Sequence, residues 1–229
     1  MNHISIMALG RITGGMLSAE LARVTTDIKI SSSGQANLLH IDAILSDNEA
    51  FINMNSEVKE DTNSYKLEEY FLSIKNCMKC ALGNNRKNFV FGMGNPNSDI
   101  VFVGEAPGKE EDLQGLPFVG PSGQLLTKII QAMGMKREDV YISNIVKFRP
   151  MIEGKSQGAS NRKPTINEME LSLPFIFEEI NVVRPRIIIA LGGTAMQGLL
   201  KINDTLSSAR GNVYDVQGTK AIVTYHPSF

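Results

Sequence analysis

Cysteine is scarce: Cys77 and Cys80 are the only two in 229 residues. The N-terminus lacks the basic-then-apolar pattern of a secretory leader and is broken by Gly14–Gly15. Few thiols and no export signal together predict the reducing cytoplasm. No apolar run approaches the roughly 20 residues that span a bilayer, so no membrane partner is expected. Histidine is limited to His3, His40 and His226. A large net charge is also missing: the balance is −1, which argues against a nonspecific polybasic binder. The charge is uneven, with four Lys/Arg against eight Asp/Glu in residues 1–65 and a net +3 in the remainder. An acidic extension on a mildly basic core is compatible with a DNA enzyme.

Two nucleotide-binding signatures are missing as well. The Gly- and Pro-dense stretch from Gly104 to Gly123 follows a predicted strand and precedes a predicted helix, as a phosphate loop would. However, only three residues separate Gly104 from Gly108, and Glu110 follows Lys109, which excludes a P-loop NTPase. Gly92-Met-Gly94 precedes a strand and lacks the third glycine of a dinucleotide fingerprint, so no nucleotide cofactor is expected.

Residues 1–65 read as an extension and linker of unknown role. Ile4–Leu9 suggests a strand, Leu17–Val24 a helical turn or two, and Ser46 to Ser64 a polar linker. From residue 66 the patterns sharpen. Leu67, Phe71 and Ile74 recur at helical spacing. Apolar runs predict strands at 99–104, 139–146, 186–192 and 221–225, and helices at 122–133, 167–183 and 193–200. Strands alternating with helices predict an α/β fold, a four-stranded parallel sheet in a three-layer α/β/α arrangement. Ligands bind such sheets at the carboxyl ends of the strands. Those ends are Gly104-Glu105, Asn144, Gly192-Gly193 and Tyr225-His226, and three of them carry polar residues suited to chemistry.

Several separated motifs now come together. They are Gly104-Glu-Ala-Pro-Gly108 with its following acids, Gly115-Leu-Pro-Phe-Val-Gly120, Asn144-Ile-Val-Lys-Phe-Arg-Pro150, Asn161-Arg-Lys-Pro164 with Glu168, and Thr224-Tyr-His-Pro-Ser228. In this order they resemble the motifs of family 4 uracil-DNA glycosylases, and the resemblance covers roughly residues 66–229. It implies hydrolysis of the N-glycosidic bond of deoxyuridine in DNA, which initiates base-excision repair, by a monomer whose partner is uracil-containing DNA. A base must leave the stack and enter a pocket for this chemistry. Phe118 is the candidate platform, with Ala106 and Pro107 beside it. Asn144 is the candidate reader of the uracil edge, donating to a carbonyl and accepting from N3–H. His226 is the candidate donor to the charge that develops on O2, together with backbone N–H groups around Glu105 and Ala106. Water must then add to the sugar, and the motif leaves open whether Glu105 or Glu111 directs it. Lys147, Arg149, Lys155, Arg162 and Lys163 are the candidate contacts to DNA phosphates, with Asn161 a further DNA-binding candidate. The connection from Met151 to Ser160 contains no His and so gives no support to the DNA-trapping relatives that use a loop His.

The family's iron–sulfur cluster uses four cysteines. Cys77 and Cys80 match the first pair, but Phe148 and Ser172 stand at the third and fourth positions. Four thiolates normally hold such a cluster. The expectation is therefore no cluster, with Cys77 and Cys80 left as vestigial ligands. The family also continues past His-Pro-Ser into a segment that enters the minor groove, so residues 66–229 read as a glycosylase domain truncated at its C-terminus. The alternatives to this reading are a catalytically weak uracil- or DNA-binding module, and a glycosylase of the same fold for another deaminated base.

Overall fold

The computed structural model describes residues 62–77, 87–152 and 160–228. They lie in a compact unit, Glu60–Phe229. The strand and helix expected within residues 4–24 lie outside the described residues, as does most of the expected linker. Its last residues are helical: α1 spans Thr62–Ile74 and runs across the expected 65/66 boundary. Short β1 (Met93–Gly94) is followed by β2 (Ile100–Gly104). Helix α2 (Lys109–Gln114) and α3 (Pro121–Ala132) come next. A 3₁₀ turn at Arg137–Asp139 leads to β3 (Tyr141–Asn144). Strands β4 (Met151–Ile152) and β5 (Ser160–Asn161) form a small hairpin. Then follow α4 (Ile166–Val183), β6 (Ile187–Leu191), α5 (Gly193–Leu200), α6 (Leu206–Ala209), β7 (Val213–Val216) and β8 (Thr219–Thr224).

The main sheet has six strands in the order β1-β3-β2-β6-β8-β7. The four predicted strands form its parallel centre, with Val103 opposite Ser143 and Ala190, and Ala190 opposite Val223. Two antiparallel edge strands extend it. Strand β7 went unread in the sequence. It joins β8 through Gln217-Gly218, both at positive φ (52° and 85°), the backbone of a tight two-residue hairpin turn.

Alternation along the strands divides the core in two, because successive side chains point to opposite faces. Val101, Val103, Ile188, Ala190, Ala221 and Val223 share one cluster with Leu173, Ile176 and Ile180 of α4 and Met196 and Leu199 of α5. Phe102, Ile142, Ile189 and Leu191 share the other with Leu126 and Ile130 of α3. This is the three-layer arrangement that the alternating pattern predicts. Helix α4 begins at a capping box, in which Thr165 Oγ1 accepts from Glu168 N and Glu168 Oε2 accepts from Thr165 N. It ends at Arg184 in the left-handed region (φ 53°), just before Pro185. Among the described residues, no helix is long and apolar enough to cross a membrane.

Candidate active site

The carboxyl ends of the central strands open into a cavity of about 850 Å³. Its wall includes Glu105, Ala106, Pro107, Phe118, Asn144 and His226, so the structure brings these six candidates together. Asn144 closes β3 and is buried, and its Oδ1 has no hydrogen-bond partner. A buried acceptor left unpaired costs about 1–3 kcal/mol, and this one belongs to a residue that lines the cavity.

Gly104 explains how Phe118 and Asn144 can meet. A Cβ at residue 104 would overlap both the Phe118 ring and Asn144 Oδ1. Phe118 itself holds φ 52°, a left-handed backbone that costs a non-glycine residue about 1–2 kcal/mol. Such a conformation persists only where its surroundings over-determine it. The ring lies 5.8 Å from that of His226, tilted by 33°.

His226 has a defined tautomer. The Ser228 backbone N–H donates to its Nδ1 at 3.1 Å, and Ser228 Oγ stands 2.8 Å from the same atom. A backbone N–H can only donate, so Nδ1 accepts and the ring proton sits on Nε2. Burial lowers the His226 pKa, against the opposing pull of Glu105 and Glu111, which also favours a neutral ring. Gly192, at φ 91°, lets the chain pass close behind: a Cβ there would stand 3.0 Å from His226 Cβ.

The two candidate acids differ. Glu105 Oε2 accepts from Thr194 Oγ1 at 2.5 Å, a partner 89 residues away that the sequence reading missed. Glu111 is committed to the backbone: Oε1 accepts from Val119 N and Gly120 N at 3.0 and 2.8 Å, and Oε2 from Gly108 N at 3.1 Å.

The expected phosphate contacts need correction. Lys147 is fully buried, with Nζ 2.6 Å from Glu179 Oε1 and donating to Ser143 Oγ at 2.6 Å. A lysine sealed in the core cannot reach a DNA phosphate. Burial lowers its pKa, and Glu179 opposes the shift. Arg149 is also buried and donates from Nε to Asn161 Oδ1. Arg162 lines the cavity, but its guanidinium makes a two-pronged ion pair with Glu168 at 2.8 and 2.7 Å. Asn161 is exposed on the cavity wall beside exposed Lys163, and exposed Lys109 lies elsewhere on the same wall.

Lys155 and Cys80 lie outside the described residues, and Cys77 is half-buried. Phe148 is buried, and its ring meets Phe89 edge-on at 5.0 Å; Phe89 in turn meets Phe175 at 5.7 Å. Ser172 is buried, with no partner for Oγ. Among the described residues, no group of three or more His, Cys, Asp or Glu side chains is placed to hold a metal.

The three-layer fold thus sets an aromatic, an amide and an imidazole at one cavity. The Uracil DNA glycosylase superfamily model matches residues 91–229. A type-4 uracil-DNA glycosylase of Archaeoglobus fulgidus is 40% identical over 71% of this chain and 81% of its own length. One from Thermotoga maritima is 43% identical over 68% of this chain and 78% of its own length. The wild-type SMUG2 crystal structure from Pedobacter heparinus matches at 19% identity over 58% of this chain and 66% of its own, with a TM-score of 0.42. The chain belongs to the uracil-DNA glycosylase superfamily, and within it to the type-4 enzymes.

Proposed function

We propose that this type-4 enzyme removes uracil from DNA with Asn144, Phe118, His226 and Glu105 as its working side chains. The observation that carries this assignment is the unpaired Asn144 Oδ1 in the cavity wall. A flipped uracil supplies the missing donor through N3–H, while the Asn144 amide donates to O4. Cytosine has an acceptor at N3 and leaves Oδ1 unpaired in this orientation. Phe118 stacks on the base, with Ala106 and Pro107 completing the wall. As the N-glycosidic bond breaks, its electron pair moves onto the uracil ring. The neutral His226, protonated at Nε2, donates to O2 and stabilises that charge. Water then adds to the sugar C1′. We assign its orientation and deprotonation to Glu105, because the Glu111 oxygens already accept three backbone N–H groups. Lys109, Asn161 and Lys163 are the groups placed at the cavity for flanking phosphates.

The resemblance to cluster-bearing relatives raises the question of an iron–sulfur centre. The residues described do not fit one. Phe148 offers no ligand atom, and its ring is packed among other phenylalanines. This supports a domain that folds without the cluster, and no step above passes through a metal.

The test is excision from an end-labelled oligonucleotide with one uracil, followed by alkaline cleavage of the abasic site. Cleavage at uracil alone is expected, with matched hypoxanthine and xanthine oligonucleotides left intact. Binding without base release would replace the enzyme with a binding module.

A further inference from the structure

Phe118 is held from both sides by residues of opposite charge. On one side, Arg137 Nη2 donates to the carbonyl oxygens of Pro117 and Phe118 at 2.8 and 3.0 Å. Its Nη1 donates to Thr127 Oγ1 on α3 at 3.1 Å. On the other side, Glu111 accepts from Val119 N and Gly120 N. Pro117 and Phe118 therefore present their oxygens to a cation, and Val119 and Gly120 their nitrogens to an anion, around the one aromatic residue at positive φ among the described residues. The grip is itself anchored. The turn carrying Arg137 is fixed by Asp139 Oδ2, which accepts from Lys136 N at 2.7 Å. Glu111 is tied back to Gly108 N. Gly123 leaves the Phe118 carbonyl the space that a Cβ would fill. Arg137 is half-buried, and the nearby Glu111 charge opposes the desolvation that lowers its pKa.

We infer that Arg137 and Glu111 are positioning residues that clamp the Pro117–Gly120 backbone and so hold the Phe118 ring as the platform for the flipped base. Arg137 is not among the residues lining the cavity, and Glu111, which is, has both carboxylate oxygens engaged by backbone N–H groups. The inference rests on Phe118 being that platform. Arg137 has the right chemistry, because one planar guanidinium can reach two adjacent carbonyls and a hydroxyl at once, whereas an ammonium is a single point charge.

The experiment compares wild type, Phe118→Ala, Arg137→Met and the double variant, reading kcat, KM and the inhibition constant of free uracil. Thermal midpoints are recorded for each. Arg137→Met should raise both KM and the uracil inhibition constant by about tenfold, with a smaller change in kcat. The same substitution on Phe118→Ala should add little, because the ring it positions is gone. Losses that multiply in the double variant would overturn the clamp, as would unchanged uracil inhibition in Arg137→Met. A Phe118→Ala enzyme with wild-type KM and uracil inhibition would instead remove the platform reading itself. Should Arg137→Met fail to fold, Arg137→Lys takes its place. It keeps the charge but not the fork, and should weaken uracil inhibition about threefold; wild-type inhibition would overturn the proposal.

Discussion

The cavity wall and the α1–α4 face treat their atoms in opposite ways. At the carboxyl ends of the strands, groups are held in readiness: Asn144 Oδ1 lacks a partner, Phe118 sits at positive φ, and a Cβ is missing at Gly104. On the α1–α4 face, the space is filled. Phe71, Phe89, Phe91, Phe148 and Phe175 meet in tilted and edge-on pairs 5.0–6.5 Å apart. Beside them Lys147 and Glu179 neutralise each other, and Tyr141 donates to Glu179 at 3.3 Å. The first region gathers motif residues at one cavity, while the second holds Phe148 and Ser172, where the resemblance led cysteines to be expected. On the proposed assignment, the contrast separates residues that answer to the substrate from those that answer only to the fold: a core can exchange one joint for another, whereas a pocket must keep the atoms that its ligand will complete.

Substitutions that separate stability from turnover sharpen this contrast. The largest effects belong to the filled face. Phe148→Ala should cost about 3–5 kcal/mol of unfolding free energy in denaturant titration, with kcat little changed in the fraction that stays folded. Glu179→Ala should cost a similar amount, about 3–5 kcal/mol, because it strands a buried Lys147 charge. A loss of turnover at unchanged stability would undo the division. At the cavity, His226→Ala should slow single-turnover excision about a hundredfold or more, while the melting temperature stays near wild type. Asn144→Ala should cost about tenfold or more, and it should also narrow the preference for uracil over cytosine. Equal losses on both bases would remove its reading role.

A smaller effect is expected from pH. The folded His226 binds its proton less readily than the unfolded chain, so its contribution to stability is whole above about pH 6.5 and declines as the pH falls below that. Excision should likewise stay level down to about pH 6.5 and then drop, as a proton on Nδ1 opposes the Ser228 N–H. Excision that instead rises as the pH falls below about 7.5 would show the active ring to be cationic. The smallest expected effect is none: anaerobic treatment with an iron chelator should leave the melting temperature and excision unchanged. Stoichiometric iron, or collapse on chelation, would erase the distinction between this face and that of cluster-bearing relatives.

The central sheet was legible because its four strands are short apolar runs separated by helical periodicity, and the strand ends pointed to Glu105, Asn144 and His226. The edge strands were not, since two-residue β1 carries no pattern and four-residue Val213–Val216 buries only Val216 fully, too short an alternation to stand out beside its Gln-Gly turn. Lys147 was misread for a different reason. In sequence it stands two residues from Arg149 in what looks like a basic loop. Its counter-charge, Glu179, lies on α4, and only the packing of α4 beneath the sheet turns a surface cation into a core ion pair. Thr194 and Arg137 were likewise invisible, because each acts on a residue that the chain reaches only after folding.

On the proposed assignment, Gly104 sets the dimensions of the recognition site by omission. The ring and the amide that would grip the base approach each other across the place where any other residue keeps its first side-chain carbon. The pocket is therefore gauged by a vacancy in the main chain, and side-chain substitution at 104 can change that gauge only by pushing its two jaws apart. A lineage drifting toward a larger base would have to move Phe118 first, and that ring is anchored through its backbone to Arg137 and, through the residues that follow it, to Glu111. Selectivity and evolvability meet at one residue that contributes no side-chain atom to either.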